Sequence, residues 1–256
     1  SHTIVEIIVN DMPFLVDSVR MSLNRLNITA HLFLHSPIAI KRNDKAQVTA
    51  FAEPGKTLEG TRKETVIFIE VDRQTSKSDI ETLTKELHSV VDEVSLAVAD
   101  WQDMTGKLQT VIKDTAKFNW PVSAAHKKQT KTFLEWLSDH NFTMMGYRYY
   151  EVKAIEGDHR WIPANDTSLG LLKNSINDRE RLLSKLPASA REEALSDHPL
   201  ILTKTNSRSR VHRPAYMDYV GVKVFNKDGN VVGEHRFLGL YSASFYNMSV
   251  TQLPIL

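Results

Sequence analysis

The sequence predicts a protein of mixed helices and strands, of the α+β class, with two successive units. Three observations carry this prediction. An apolar β-branched run near the start gives way to helical spacing, a long helical stripe follows a second β-branched run, and three strand-like runs lie near the end of the chain. The first unit therefore alternates strands and helices, whereas the second is mostly antiparallel.

The first unit opens with residues 3–9, TIVEIIV, whose β-branched side chains predict a strand. Apolar residues then recur every three or four positions, which predicts a helix over residues 15–27. Two further strands are predicted at residues 28–42 and 64–71, and the latter run, ETVIFIEV, has the clearest strand pattern in the sequence.

A long helix is predicted next, with Ser76 and Ser78 as candidate N-caps. Its predicted buried stripe contains Ile80, Leu83, Leu87, Val90, Val94, Val98 and Trp101. The helical pattern continues to Ile112 as an extension. The order strand, helix, strand, strand, helix matches most of a βαββαβ ferredoxin-like unit, although a final strand is not evident.

The pattern breaks at Pro121, and the prediction is a first domain over residues 1–116, a linker over 117–130 and a second α+β domain over 131–256. The second domain is predicted to contain helices at residues 133–142 and 178–196, the latter broken at Pro187, and strands at 142–152, 199–205, 219–226 and 231–242. Asp228 and Gly229 form a strong hairpin signal between the last two strands.

Composition limits the classes of function. The 256 residues carry 32 Lys and Arg against 31 Asp and Glu, so a net charge of +1 gives no general attraction to nucleic acid. The absence of cysteine excludes disulfides, thiolate zinc sites and cysteine nucleophiles. No apolar run is long enough to span a membrane. The sequence therefore predicts a cytoplasmic protein, and we expect it to be a fragment of a longer chain.

One candidate site is the turn in VNDMPFLVDSV, residues 9–19. Asp11 is predicted as the N-cap of the following helix, with Pro13 in its first turn. Free N–H groups at such a helix start can bind a carboxylate or phosphate, but capping alone explains the same residues. The candidate ligand-binding residues are Asn10, Asp11, Pro13, Phe14 and Leu15.

The second candidate is KTNSRSRVHR, residues 204–213, which contains no acidic residue. Guanidinium groups match carboxylate and phosphate geometry, so the run predicts contact with a small anion or with an acidic surface of the same protein. The candidate residues are Lys204, Arg208, Arg210, His212 and Arg213. Nucleic acid is a weak alternative, because no wider basic face surrounds these charges.

Other residues favour ordinary structural roles. His31 and His35 lie four apart, but no third ligand follows at metal spacing, so they are predicted to be exposed or hydrogen-bonded strand histidines, and no metal site is predicted. Tyr147, Tyr149 and Tyr150 are interpreted as sheet packing. Phosphate-binding, dinucleotide-binding, metalloprotease and serine-hydrolase motifs are absent, and no catalytic residue is predicted.

Two long stretches carry a family resemblance. VEIIVNDMPFLVDSVRMSLNRLNITAHLFLHSPI and SRSRVHRPAYMDYVGVKVFNKDGNVVGEHRFLGLYS, together with DHNFTMMGYRYYEV and LGLL between them, resemble the N-terminal region of the large bacterial NAD-specific glutamate dehydrogenases. The resemblance spans essentially the whole chain. It implies a parent enzyme that oxidises L-glutamate to 2-oxoglutarate and ammonia with NAD, on a dehydrogenase domain far C-terminal of this region.

The resemblance also implies ACT-like domains, which commonly bind amino acids in allosteric enzymes. No cofactor is then expected in this segment, and its expected partners are the catalytic domain, other subunits of a homo-oligomer and an amino-acid effector. Amino-acid-binding ACT modules share the pattern D-x-P-G-L-[LV], which Asp11, Pro13, Leu15 and Val16 fit. Phe14 stands where glycine is expected, which implies a turn that keeps the fold and has lost the usual ligand.

The leading hypothesis is therefore a non-catalytic regulatory and assembly segment. One alternative is an effector-sensing module with a working ligand site at the first turn. Another is direct contact with the catalytic domain through Arg208, Arg210 and Arg213. For the second domain, a degenerate ACT-like fold and a PAS-like fold both stay open.

Overall fold

The computed structural model divides the chain into two units. Unit 1 comprises residues Ser1–Ser95 together with Ser209–Pro214, and unit 2 comprises Leu96–Arg208 and the residues from Ala215 onward. This division falls well before the predicted linker at 117–130, because helical residues after position 100 pack into the core of unit 2. The structure describes residues 1–53, 56, 58–155, 157–164, 167–173 and 181–249.

Unit 1 contains a four-stranded antiparallel sheet and two helices. Its elements are β1 (Thr3–Asn10), α1 (Leu15–Arg25), β2 (Ala30–Arg42), β3 (Val48–Phe51), β4 (Arg62–Val71) and α2 (Lys77–Ala99), of which the last residues, from Leu96, belong to unit 2. The strand order is β1-β4-β2-β3, and every neighbouring pair is antiparallel. The sequence does not predict β3, because its four residues are too few to show an alternating pattern.

One face of this sheet packs against the two helices. The buried core residues are Leu15, Val19 and Leu23 from α1, Ile67, Ile69 and Val71 from β4, and Leu83, Leu87 and Val90 from α2. Successive strand residues point to opposite faces, so β1 alternates between half-buried and exposed side chains along its whole length. The opposite face carries the exposed side chains of Ile4, Ile8, Leu32 and Leu34.

Helix α2 begins as predicted but its buried stripe is shorter. Ser76 Oγ accepts the Asp79 N–H at 3.1 Å, which is an N-cap contact. The predicted burial of Ile80 and Trp101 is wrong, since these side chains are 46% and 47% exposed. Apolar spacing identifies a helix face but not where its partner surface ends. The helix also breaks after Ala99, so the predicted extension is a separate helix.

Unit 2 contains an antiparallel sheet with three helices among the described residues. Its elements are α3 (Trp101–Asp114), α4 (Ala124–Trp136), β5 (Phe142–Ile155), β6 (Asp158–Pro163), β7 (Leu169–Gly170), β8 (Arg181–Leu182), α5 (Ala188–Leu195), β9 (Leu200–Arg208), β10 (Tyr216–Phe225) and β11 (Val231–Tyr241). The strand order is β8-β6-β5-β11-β10-β9, with β7 also paired to β5. Gly229 has φ 81° in the predicted hairpin.

Two helix predictions in this unit need correction. Helix α4 starts inside the predicted linker, because Ser123 Oγ accepts the His126 N–H at 3.2 Å and caps it. The predicted helix over residues 178–196 is wrong between 181 and 187, where a two-residue strand and a 3₁₀ turn precede α5. Residues 178–180 lie outside the described residues. The coarser prediction of mixed helices and antiparallel sheets is confirmed.

Asp100 fixes the loop that contains the LGLL sequence. Its carboxylate accepts the Gly170 N–H at 2.7 Å and pairs with Lys173 Nζ. Gly170 has φ 60°, and a Cβ at this position would collide with the carbonyl group of Met145. The loop therefore requires glycine for both its backbone conformation and its close packing. In the part of the chain that the structure describes, no helix has the length and apolar character to cross a membrane.

Candidate functional site

The turn after β1 is built differently from the predicted cap. Asp11 as N-cap is wrong, because its carboxylate accepts a hydrogen bond from Thr65 Oγ1 at 2.5 Å. Its N–H donates to the Lys63 carbonyl at 3.0 Å, so Asp11 continues the β1–β4 ladder and lies too early to cap α1. Pro13 in the first turn is also wrong, since the helix begins at Leu15.

Phe14 occupies the position before the helix in a left-handed conformation. Its φ of 69° and ψ of −8° fall in the region that favours glycine. Ser18 holds the turn, because its N–H and Oγ both donate to the Phe14 carbonyl, at 3.0 and 2.6 Å. The ACT pattern has glycine at position 14, where the backbone is left-handed. In this chain a phenylalanine adopts that same conformation.

A small cavity of about 130 Å³ lies at this turn. Its lining residues are Asp11, Met12, Phe14, Leu15, Val16, Asp17, His35 and Thr65. Small-molecule pockets usually measure about 300 to 1,000 Å³, so this cavity is well below the common range.

Residues 209–214 pack against the same turn within unit 1, and we call them the 209–214 segment. The His212 ring lies 4.7 Å from the Phe14 ring, and the His212 N–H donates to Ser18 Oγ at 3.1 Å. Val211 beside it is fully buried. Two candidate sites that lie far apart in the sequence thus meet through Phe14 and His212.

Arg210 attaches the 209–214 segment to α2. Its guanidinium donates to Glu86 at 2.9 Å, to Ser89 Oγ at 2.9 Å and to Glu93 at 2.5 Å. These three residues recur at helical spacing on one face of α2. Arg25 of α1 also pairs with Glu86, so two guanidinium groups meet two carboxylates.

Burial shifts the pKa values of Glu93 and His212. Desolvation raises the pKa of the Glu93 carboxyl, although Arg210 and Arg25 lower it in part. Desolvation lowers the pKa of His212, and the nearby charge of Arg213 lowers it further. His212 is therefore largely uncharged at neutral pH and meets Phe14 as a neutral ring.

The rest of the basic run lies in unit 2. Lys204 Nζ pairs with the buried carboxylate of Asp218 at 2.5 Å. The Arg208 guanidinium lies 5.1 Å from the centre of the Tyr216 ring. Lys204 and Arg208 thus belong to a different unit from Arg210, His212 and Arg213, although all five residues form one run in the sequence.

Three residues that contact the 209–214 segment are not singled out by any sequence motif. Ser18, Glu86 and Glu93 carry the contact with the 209–214 segment, and only the helical spacing of the acidic residues on α2 offered a signal. The two strand histidines have different surroundings. His31 Nε2 lies 2.7 Å from Asp72 Oδ1, whereas His35 lines the small cavity. Among the described residues, no group of three His, Asp or Glu side chains is arranged to hold a metal ion.

Comparison with known proteins shows which family the chain resembles. Residues 1–87 match the family model described as "Glutamate dehydrogenase, ACT1 domain". Along its full length the chain is 33% identical to the NAD-specific glutamate dehydrogenase of Halomonas elongata and 32% identical to that of Pseudomonas aeruginosa. The Mycobacterium tuberculosis enzyme of the same name is 22% identical over 94% of the chain and 14% of its own length.

The chain spans only 16% of the length of the first two relatives. The family match and the full-length similarity agree with the stretches that the sequence analysis singled out. The chain is similar along its full length to the NAD-specific glutamate dehydrogenases of these bacteria, and its residues 1–87 match the ACT1 domain of glutamate dehydrogenase.

Proposed function

We propose that this chain is a non-catalytic regulatory and assembly segment of an NAD-dependent glutamate dehydrogenase. The parent enzyme converts L-glutamate to 2-oxoglutarate and ammonia with NAD, on residues outside this segment. The names of the relatives support the reaction, and the small share of their length that the chain covers supports a role outside catalysis.

The proposal extends to the fold of unit 1, a ferredoxin-like ACT unit without its last strand. Strands β1 and β2 both lie antiparallel to the central β4 and hence parallel to each other. Helix α1 connects β1 to β2, and α2 follows β4, as in a split βαβ arrangement. The short β3 is an addition that pairs only with the end of β2.

The contact between Phe14 and His212 is the observation that carries the regulatory proposal. Glycine at a turn lets a ligand approach the backbone, whereas Phe14 places a ring there and packs it on His212. The cavity that remains is about 130 Å³, below the range of about 300 to 1,000 Å³ that is usual for small-molecule pockets. In this proposal the turn has exchanged an amino-acid ligand for the 209–214 segment of its own chain.

The charged contact of Arg210 gives this exchange its specificity. A guanidinium fork held by two carboxylates and a hydroxyl fixes the position of the 209–214 segment on α2. The same segment joins β9 to β10 along the chain, so a change at the turn reaches the second sheet through covalent connection. Regulation then consists of shifting the 209–214 segment between two arrangements.

The test uses the full-length enzyme with Arg210→Leu and, as a matched control, Arg208→Leu. Both variants remove one positive charge from the same run, but Arg208 contacts the Tyr216 ring, whereas Arg210 pairs with Glu86 and Glu93 of α2. We expect Arg210→Leu to change the oligomeric state or the response to amino-acid effectors several-fold, with kcat per site within about twofold of wild type. A fall in kcat alone, with assembly and effector response unchanged, would instead support direct participation in catalysis.

A further inference from the structure

One edge of the unit 1 sheet is open along β1. On its other side β1 pairs with β4, and no second neighbour exists in the part of the chain that the structure describes. The Asp11 N–H donates to the Lys63 carbonyl. The backbone N–H and C=O groups of the odd-numbered residues of β1 therefore point toward β4. The backbone groups of Ile4, Glu6, Ile8 and Asn10 therefore face the free edge.

This edge has few of the features that normally protect a strand from pairing. Residues 3–10, TIVEIIVN, contain no proline, lysine or arginine, and their register with β4 has no bulge. Ile4 and Ile8 are also 47% and 59% exposed. An exposed, regular, apolar edge strand is a template for pairing with another strand.

The other long edge strands of the two sheets are protected. Strand β2, which β3 covers only at residues 40–42, contains Pro37 and has a register shift after Ala30. Strand β9 carries Lys204 and has a register shift against β10. Among the described edges, β1 alone combines length, regularity and apolar side chains, which marks it as an interaction surface.

We propose that β1 pairs antiparallel with β1 of a second copy of this chain, about a twofold axis at Ile7. The pairing joins two four-stranded sheets into one of eight strands. The strand is nearly self-complementary, since this register places Val5 opposite Val9 of the copy and Ile7 opposite Ile7. β-Branched pairs of this kind stabilise neighbouring strands.

Charge selects this register over its nearest alternative. Glu6 is the only ionisable residue in β1. A twofold axis at Glu6 would place two carboxylates directly opposite each other, which is destabilising. An axis at Ile7 places each Glu6 opposite Ile8 of the other copy, so the like charges are separated.

The association is expected to be weak for this chain in isolation. A pair of eight-residue strands buries less than the roughly 800 Å² per partner of a standard interface, so a Kd on the order of tens of micromolar is expected. The inference deepens the proposed assembly role by naming a partner, but it is tested on the 256-residue chain. Its failure is therefore distinguishable from a failure of the full-length enzyme test.

Sedimentation velocity over a concentration series tests the surface. Ile8→Lys adds a charge at the edge, while Ile80→Lys is the matched control on α2, where the isoleucine is comparably exposed. We expect reversible dimers for wild type and Ile80→Lys, and at least a tenfold weaker association for Ile8→Lys. A wild type that stays monomeric at about 500 µM, well above the expected Kd, or dimers that Ile8→Lys leaves unchanged, would overturn the inference.

Disulfide trapping tests the register, because the chain contains no native cysteine. In the proposed register the two residues at position 7 form a non-hydrogen-bonded pair with Cα atoms about 4.5 Å apart, which a disulfide spans. We expect Ile7→Cys to form a covalent dimer on mild oxidation and the Ile4→Cys control to remain monomeric. Equal trapping by Ile4→Cys, or trapping by Glu6→Cys in place of Ile7→Cys, would overturn the register.

Discussion

The rings of Phe14 and His212 lie 4.7 Å apart, and both residues have a left-handed backbone, with φ of 69° and 71°. Histidine is enriched in this region, but a bulky phenylalanine is an outlier there. Such strain persists where the surrounding contacts over-determine the conformation. Ser18 supplies those contacts on both sides, since its hydroxyl donates to the Phe14 carbonyl and accepts the His212 N–H.

The first prediction follows from the backbone of Phe14. Phe14→Gly and Phe14→Ala both remove the ring, but only alanine retains the cost of the left-handed conformation, about 1 kcal/mol. We therefore expect Phe14→Gly to be more stable than Phe14→Ala by about 1 kcal/mol in urea unfolding. At Lys85, an exposed position in α2, the order should be reversed by a similar amount. If Phe14→Ala were more stable to urea than Phe14→Gly, the left-handed backbone at position 14 would not be strained.

The second prediction concerns Arg210. Arg210→Leu leaves Glu93 half-buried without its guanidinium partner, and we expect a loss of about 1 to 2 kcal/mol in stability. Because Arg210 positions the 209–214 segment, the His212 amide should exchange with solvent faster in this variant. Arg210→Lys keeps the charge but not the fork, so its exchange rate should be intermediate. An unchanged exchange rate in Arg210→Leu would mean that the ion pairs do not position the segment.

The third prediction is a pH dependence of stability from His235 in unit 2. Burial lowers the pKa of His235 to about 4, with the charge of Lys107 as a smaller cause, and Tyr147 lies at hydrogen-bond distance from its Nδ1. The unfolded chain binds a proton below about pH 6.5, whereas the folded protein resists protonation until about pH 4. Stability should therefore fall as pH decreases between these values, by up to about 3 kcal/mol.

Urea unfolding at a series of pH values measures this slope, and His235→Gln should remove most of it. Glu64 acts in a separate window, because the Arg42 guanidinium lowers the pKa of its carboxyl to about 2. The Glu64 contribution is present above about pH 4.5 and is lost as pH falls toward 2. A slope between pH 6.5 and 4 that persists in His235→Gln would assign it to other groups.

The fourth prediction concerns Gly170 in the LGLL loop. Gly170→Ala combines a left-handed backbone with a collision against the Met145 carbonyl, so we expect a loss of about 3 kcal/mol or more. Gly229 has a similar φ but open space around its Cα, so Gly229→Ala should lose only about 1 kcal/mol. Thermal unfolding of the two variants side by side measures the difference, and equal losses would exclude the collision.

Local patterns predicted the elements that carry strong periodicity. β1, α1, β4 and the β10–β11 hairpin lie close to their predicted positions because β-branched alternation, helical spacing and Asp-Gly turns act over a few residues. The short strand β3 and the two-residue strand β8 had no such signal, since tertiary pairing alone defines them.

The candidate site was only partly predictable. The sequence identified the turn and the basic run. It could not predict the contact between Phe14 and His212, because these residues lie far apart in the sequence and meet only through the tertiary fold. The residue type and position of Asp11 suit a helix cap, but the β1–β4 ladder extends one residue further and uses Asp11. Proximity in sequence likewise grouped Lys204 with Arg210, although β9 carries the former into unit 2.

Calorimetric titration of this chain with L-glutamate, other amino acids and 2-oxoglutarate tests the central claim most directly. If the 209–214 segment has replaced a ligand at the turn, wild type should give no saturable heat, and Phe14→Gly together with His212→Ala should gain binding. Saturable binding of an amino acid by wild type, abolished by substitution of Asp11, would contradict the claim and assign a working effector site to the turn.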